Sequence, residues 1–276
     1  MNATDFLKQK LLGSPIGSLL HSTRDIFEVA MVALTKPEVL GTTYNDQLAT
    51  KIVCGLCAPN KVFVDVGAHI GSIIAAVLRH DPSIAVIAVE AMPDKVSALR
   101  RHFPNVIVHQ CAAGECAAVA SFYVDMQHSG YSSLYSKNAP TTDSVKVIDV
   151  QVSALDDLIS SANVDVIKID VEGAELGVVR GAKRLIAECR PILMFESAPH
   201  EVLGFTKEEL WRSFADQEYV IIVPNRVAHI DPGLKLDGFL ESHLFPRRTT
   251  NYFAVPQERR DEIRRRARHL QGFSPC

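Results

Sequence analysis

The chain has no excess of basic residues. Its 29 Lys and Arg stand against 32 Asp and Glu, a formal net charge of −3. That argues against a general nucleic-acid binder, whose phosphate contacts need a basic surplus. No apolar run reaches the ~18 residues of a membrane span. The N-terminal stretch MNATDFLKQKLLGSPIGSLL lacks the basic head and apolar core of a signal peptide. There is no internal repeat and no low-complexity tract. The six cysteines are scattered, and Cys276 is the last residue. Cys54 and Cys57 form a CxxC, but one pair cannot complete a structural zinc site, and ATKIVCGLCAPN reads as the end of a helix. A reduced, cytoplasmic chain is the expectation.

What is present is core. At 276 residues and 47% apolar, the chain fits one large α/β domain with appendages, or two small domains. Residues 1–58 read as a helical segment with breaks at Gly13–Pro15, Pro37 and Gly41–Asn45. From Lys61 short β-rich runs alternate with helical patterns. Strands are expected at 61–67, 84–91, 105–113, 118–125 (on the rim), 145–152, 164–170, 191–197, 219–225 and 251–256. Helices are expected at 72–80, 93–103, 153–161 with Ser153 as N-cap, and 173–188. Residues 59–256 then form the main domain. Residues 257–276 form a charged tail whose mixed signs in ERRDEIRRRARHL read as a solvated helix or a flexible end.

Fully apolar strands alternating with amphipathic helices indicate a mostly parallel sheet covered on both faces. Ligands of such sheets bind outside the carboxyl ends of the strands. Asp65, Glu90 and Asp170 each end a strand and so share one rim.

The first strand ends VDVGAHIGS. Gly67 and Gly71 flank a tight turn, where missing side chains let the backbone approach a nucleotide. Glu90 follows roughly 20 residues on, where a carboxylate can accept two hydrogen bonds from a ribose diol. Ala68, His69, Ala91 and Ala112, from the same loop and the next two strand ends, complete the candidate cofactor lining. His69 stands where a dinucleotide fingerprint has its middle glycine. Asp65, two residues before Gly67, would repel a pyrophosphate and welcome a cationic tail. S-adenosylmethionine has such a tail and no phosphate.

VFVDVGAHIG, VIAVEAMP, VSALDDLI and VIKIDVEGAELGVVRGA, in this order, resemble the FkbM family of S-adenosylmethionine-dependent methyltransferases over roughly residues 61–197. The resemblance implies an α/β class I methyltransferase Rossmann-like fold, a mostly parallel seven-stranded sheet with its last strand antiparallel and helices on both faces. It further implies methyl transfer to a hydroxyl of a sugar, glycolipid, polysaccharide or natural product. His69 departs from the asparagine usual in this loop, but imidazole still donates and accepts hydrogen bonds.

Methyl transfer to a hydroxyl needs an in-line approach and gains from a proton acceptor. Asp170 is the best-placed acid, as base, substrate clamp or cofactor contact. Glu172 shares the rim. Glu175 falls in the first turn of the next helix, where it favours the dipole. Glu196 ends the following strand. Asp170 and Glu196 offer a divalent cation two oxygens and no clear third, so no metal is expected. His128, in the polar loop QHSGYSSLY, is another base candidate, and Tyr131 and Tyr135 could stack on a sugar face. The rival readings are a nicotinamide oxidoreductase and a non-catalytic Rossmann-like interaction module. The first wants the full glycine fingerprint and often a Tyr-x-x-x-Lys pair, and no tyrosine here has a lysine four residues on. The second would tolerate loss of Asp65, Glu90 or Asp170, and all three are present.

Overall fold

The computed structural model describes residues 15–125, 145–160, 162–197 and 205–272. Two helices lead, α1 (Pro15–Thr35) and α2 (Leu40–Leu56). The alternation then begins with β1 (Val62–Val66), α3 (Ser72–His80), β2 (Ala85–Glu90), α4 (Pro93–His102), β3 (Ile107–Gln110) and β4 (Ala112–Ala113). It continues with β5 (Ala118–Asp125), β6 (Val145–Ser153), α5 (Leu155–Leu158), β7 (Val164–Ile169), α6 (Glu175–Arg180), α7 (Lys183–Cys189) and β8 (Ile192–Glu196). It closes with α8 (Lys207–Ala215), β9 (Tyr219–Ile222), α9 (Leu236–Glu241), β10 (Asn251–Pro256) and α10 (Arg260–Leu270).

The seven-stranded sheet has the order β3-β2-β1-β7-β8-β10-β9. Its neighbours pair parallel except at β10, which runs antiparallel to both β8 and β9. Every residue of β1 and β7 is buried, as continuous apolar strands covered on both faces must be. One face packs on α6, α7 and α8 through Leu176, Leu185 and Phe214. The other packs on α2, α3 and α10 through Ile52, Ile74 and Ile263. The expected class I architecture is therefore the one observed. No helix among the described residues is long and apolar enough to cross a membrane.

The differences from expectation have local causes. The run 105–113 splits after β3, because Ala112 and Ala113 turn aside to pair with Val152 and Ser153 in a second sheet, β4-β6-β5. The helix expected over 173–188 is two. A Cβ at Gly181, between them, would lie 2.0 Å from the Gly114 carbonyl oxygen. Asp156 then caps α7, accepting the Arg184 and Leu185 N–H groups at 2.7 and 3.0 Å. Ser153 does not cap α5; Ala154 holds that position with no side-chain bond. Helices α8 and α9 were not expected. The charged C-terminal stretch is a packed helix, not a flexible end. Ile263 and Ala267 are fully buried, and Arg259 and Arg266 reach buried Asp165 of β7 at 2.6 and 2.8 Å. Cys54 and Cys57 are free and buried at the end of α2, and desolvation pushes both thiols up to about 12.

Candidate active site

A cavity of about 420 Å³ opens at the carboxyl ends of β1, β2 and β7. Three turns build its wall. The first follows β1, with Gly67, His69 and Gly71 all at positive φ, 78°, 51° and 85°. At Gly67 the need for glycine is steric as well, since a Cβ there would lie 1.9 Å from the Asp170 carbonyl oxygen. Gly67, Ala68 and His69 line the cavity. Gly71 does not. Its missing Cβ makes room for Phe103 and Leu99, 2.5 and 2.8 Å from the Cβ position, so this glycine serves packing on α4.

The second turn follows β2. Glu90 lines the cavity at 6% exposure. Its two oxygens accept the His69 and Met92 N–H groups, each at 2.8 Å. Burial pushes this carboxyl upward, while Lys95 and the two amides oppose the shift. Glu90 thus ties the glycine loop to the next strand and still presents its remaining lone pairs to a ligand. Ala91 and Ala112 lie on the same wall.

The third turn follows β7 and carries the acids of VIKIDVEGAEL. Asp170 and Glu172 line the cavity. Glu172 sits in the left-handed region at φ 52°, which is strained for a side-chain-bearing residue. Glu175 supports that turn by accepting the Gly173 N–H at 2.8 Å. It stands in the first turn of α6, as expected, but is 3% exposed, and burial pushes it up to about 7. Asp170, Glu172 and Glu196 bring carboxylate oxygens within 4.8 Å of one another, so Glu172 supplies the third oxygen that the sequence did not reveal. Three acids this close need a proton or a cation among them. Asp170 has Lys168 at 3.4 Å. Burial works against its charge, but that ammonium and a hydrogen bond from Glu196 hold it below the ordinary range. Two carboxyl groups can share that bond only if one is protonated. The proton sits on Glu196, which burial and the Asp170 charge push up to about 10. Burial and Asp170 push Glu172 to about 7. Glu196 itself is not on the cavity wall.

Asp65 is also off the wall. It is wholly buried and paired with Lys168 at 3.1 Å. A direct contact between Asp65 and a ligand's cationic tail is therefore not what the geometry shows. Lys168, absent from the expected site, lines the cavity at 5% exposure. A lysine inside the strand VDVIKI was a legible signal, because a buried ammonium demands partners. Thr50 of α2, Met194 of β8 and Asn251 of β10 complete the far wall, and no local motif marked them. His128, Tyr131 and Tyr135 lie outside the described residues.

A family model described as "Methyltransferase FkbM domain" matches residues 65–221. "Methyltransferase 1" of Beauveria bassiana (strain ARSEF 2860) is 31% identical over 149 residues, 44% of this chain and 58% of that protein. Methyltransferase FkbM from Methylobacillus flagellatus KT shares 23% identity at a TM-score of 0.40, covering 59% of this chain and 39% of that one. Aeropyrum pernix fibrillarin, solved with natively bound S-adenosyl-L-methionine, shares 16% identity at a TM-score of 0.40, covering 77% and 75%.

Proposed function

The chain belongs to the FkbM methyltransferase family, and from that premise we propose that it is an S-adenosyl-L-methionine-dependent O-methyltransferase. Its acceptor is a hydroxyl of a sugar, glycolipid, polysaccharide or natural product. The observation that carries the reading is the cavity wall itself. A glycine loop stripped of side chain at Gly67 faces a buried carboxylate, Glu90, and the acids Asp170 and Glu172 stand on the same wall. Such a wall suits a ribose and a cationic tail and disfavours a pyrophosphate. When bound, the cofactor supplies an electrophilic methyl group.

The chain's own residues do the rest. Gly67, Ala68 and His69 offer backbone against the ligand, Glu90 takes the ribose hydroxyls, and Ala91 and Ala112 give the nucleoside a smooth apolar wall. Asp65 contributes from below through Lys168. Asp170 fixes the acceptor hydroxyl by its held charge. Glu172, titrating near neutrality, matches the demand on a base that takes the hydroxyl proton. His128 stays a further base candidate. In this reading residues 59–256 are the methyltransferase domain, and α2 and α10 from the flanking segments pack on it. The buried free thiols suit a reducing compartment such as the cytoplasm.

The test is incubation with methyl-labelled S-adenosylmethionine and a panel of hydroxyl-bearing glycans, glycolipids and natural products, read by mass spectrometry. Label in an ether-linked methyl supports the reading. Label on nitrogen or carbon, with none on oxygen, overturns the O-methyl assignment.

A further inference from the structure

We propose that Lys168 is the positioning residue that holds the cofactor loop and Asp170 in one frame. The inference rests on the reading of the cavity as a cofactor site. An ammonium has three N–H donors and no acceptor. Here they face four acceptors on two segments, the end of β1 with its turn and the end of β7, the Val66 carbonyl oxygen at 3.5 Å being the most distant. Asp65 of β1 lies at 3.1 Å, the Gly67 carbonyl oxygen at 2.9 Å and Asp170 at 3.4 Å. No donor remains for a ligand, so Lys168 acts through its neighbours although it lines the cavity.

The surroundings agree. Burial alone would depress the ammonium, but Asp65 and then Asp170 outweigh it and hold the group charged. Both Asp65 oxygens are buried without another hydrogen-bond partner, so Lys168 is the compensation that the Asp65 charge has. The two turns that the ammonium joins already touch. The Asp170 N–H donates to the Val66 carbonyl at 3.1 Å, and the Asp170 carbonyl fills the place of a Gly67 Cβ. A shift in one turn is therefore a shift in the other, and the ammonium fixes both.

The test compares the wild type, Lys168→Met and the double variant Asp65→Asn/Lys168→Met by urea denaturation and by calorimetry with S-adenosylhomocysteine. Lys168→Met strands a buried charge and is expected to lose much of its stability or to fail to fold. The double variant leaves the charge of the site unchanged, so the pull on a cationic ligand is unchanged too. We expect it to recover stability yet bind S-adenosylhomocysteine at least ~tenfold more weakly, the worth of one lost charge-assisted bond. Recovery of both stability and affinity would overturn the positioning role and leave simple charge compensation. Should the double variant not fold, the wild type decides. Its Lys168 ammonium is expected to give an exchange-protected ¹⁵N signal that persists when the ligand binds, and a rapidly exchanging ammonium overturns the proposal. No binding by the folded wild type removes the cofactor reading itself, a result distinct from the others.

Discussion

Replacing Glu90 by glutamine probes the cofactor wall at its tightest point. The carboxylate is 6% exposed and accepts two backbone N–H groups at 2.8 Å, from His69 and Met92. Glutamine has the same shape, but only one of its terminal atoms accepts. One N–H keeps its partner and the other meets an NH₂ group, donor against donor. A lost charge-assisted bond is worth roughly 1.5–3 kcal/mol. The neutral amide is relieved of the carboxylate's burial penalty, which offsets part of that. A net loss of about 1–3 kcal/mol follows, with Tm falling about 2–4 °C for each kcal/mol in a chain near this length. The larger effect falls on the ligand. The ribose loses its charged acceptor and the glycine loop loses its tie to β2, so S-adenosylhomocysteine affinity is expected to drop at least ~tenfold. Thermal denaturation and calorimetry read the two effects. Glu115→Gln, at an exposed surface acid, is the control and should stay within about 0.5 kcal/mol of wild type. A Glu90→Gln protein with unchanged Tm and unchanged affinity would refute the reasoning, because Glu90 would then neither hold the loop nor read the ribose.

The two glycines of the loop should separate. Gly67→Ala forces a Cβ against the Asp170 carbonyl at positive φ and should abolish S-adenosylhomocysteine binding. Gly71→Ala presses on Phe103 and Leu99 and should lower Tm more than it lowers affinity in whatever folds; equal effects on both readouts would contradict the assignment. Glu175 carries a pH signature. Its folded value near 7 lies above the unfolded carboxylate range, so its contribution is complete below about pH 4.5 and is lost as pH rises through 7. Urea melts should therefore show Glu175→Gln gaining on wild type between pH 5 and pH 8, by on the order of 2–3 kcal/mol, and parallel profiles would count against the burial argument. Asp170→Asn removes the charge that fixes the acceptor hydroxyl and should lower turnover roughly 10²-fold, a larger effect than on S-adenosylhomocysteine affinity. Full activity would show that Asp170 does not fix the acceptor hydroxyl.

The strands were legible because burial on both faces leaves an unbroken apolar run, and the rim acids were legible because each ends such a run. The glycine loop and Glu90 could be paired by their spacing along the chain. What stayed hidden depends on distance in sequence. Asp165 gains its meaning from Arg259 and Arg266, which nothing near β7 announces. Without that pairing the last helix looked like solvated charge. Thr50 and Asn251 reach the same wall from opposite ends of the chain. Gly181 interrupts a helical pattern for the sake of a backbone contact with Gly114, which propensity cannot show. Two signals were present and local. Thr206 and Glu209 form the capping box that starts α8, and Lys168 sits as a cation inside a buried run. The fate of the third acid was the subtlest. Glu175 occupies a helix first turn, as the pattern suggests, but it faces inward and supports the turn that presents Glu172.

The most direct measurement is calorimetric titration of the folded wild-type chain with S-adenosylhomocysteine and, in parallel, with NAD. Saturable one-site binding of S-adenosylhomocysteine is expected, weakened by Glu90→Gln, with no heat of binding from NAD. Binding of NAD without S-adenosylhomocysteine, or of neither, would contradict the cofactor reading.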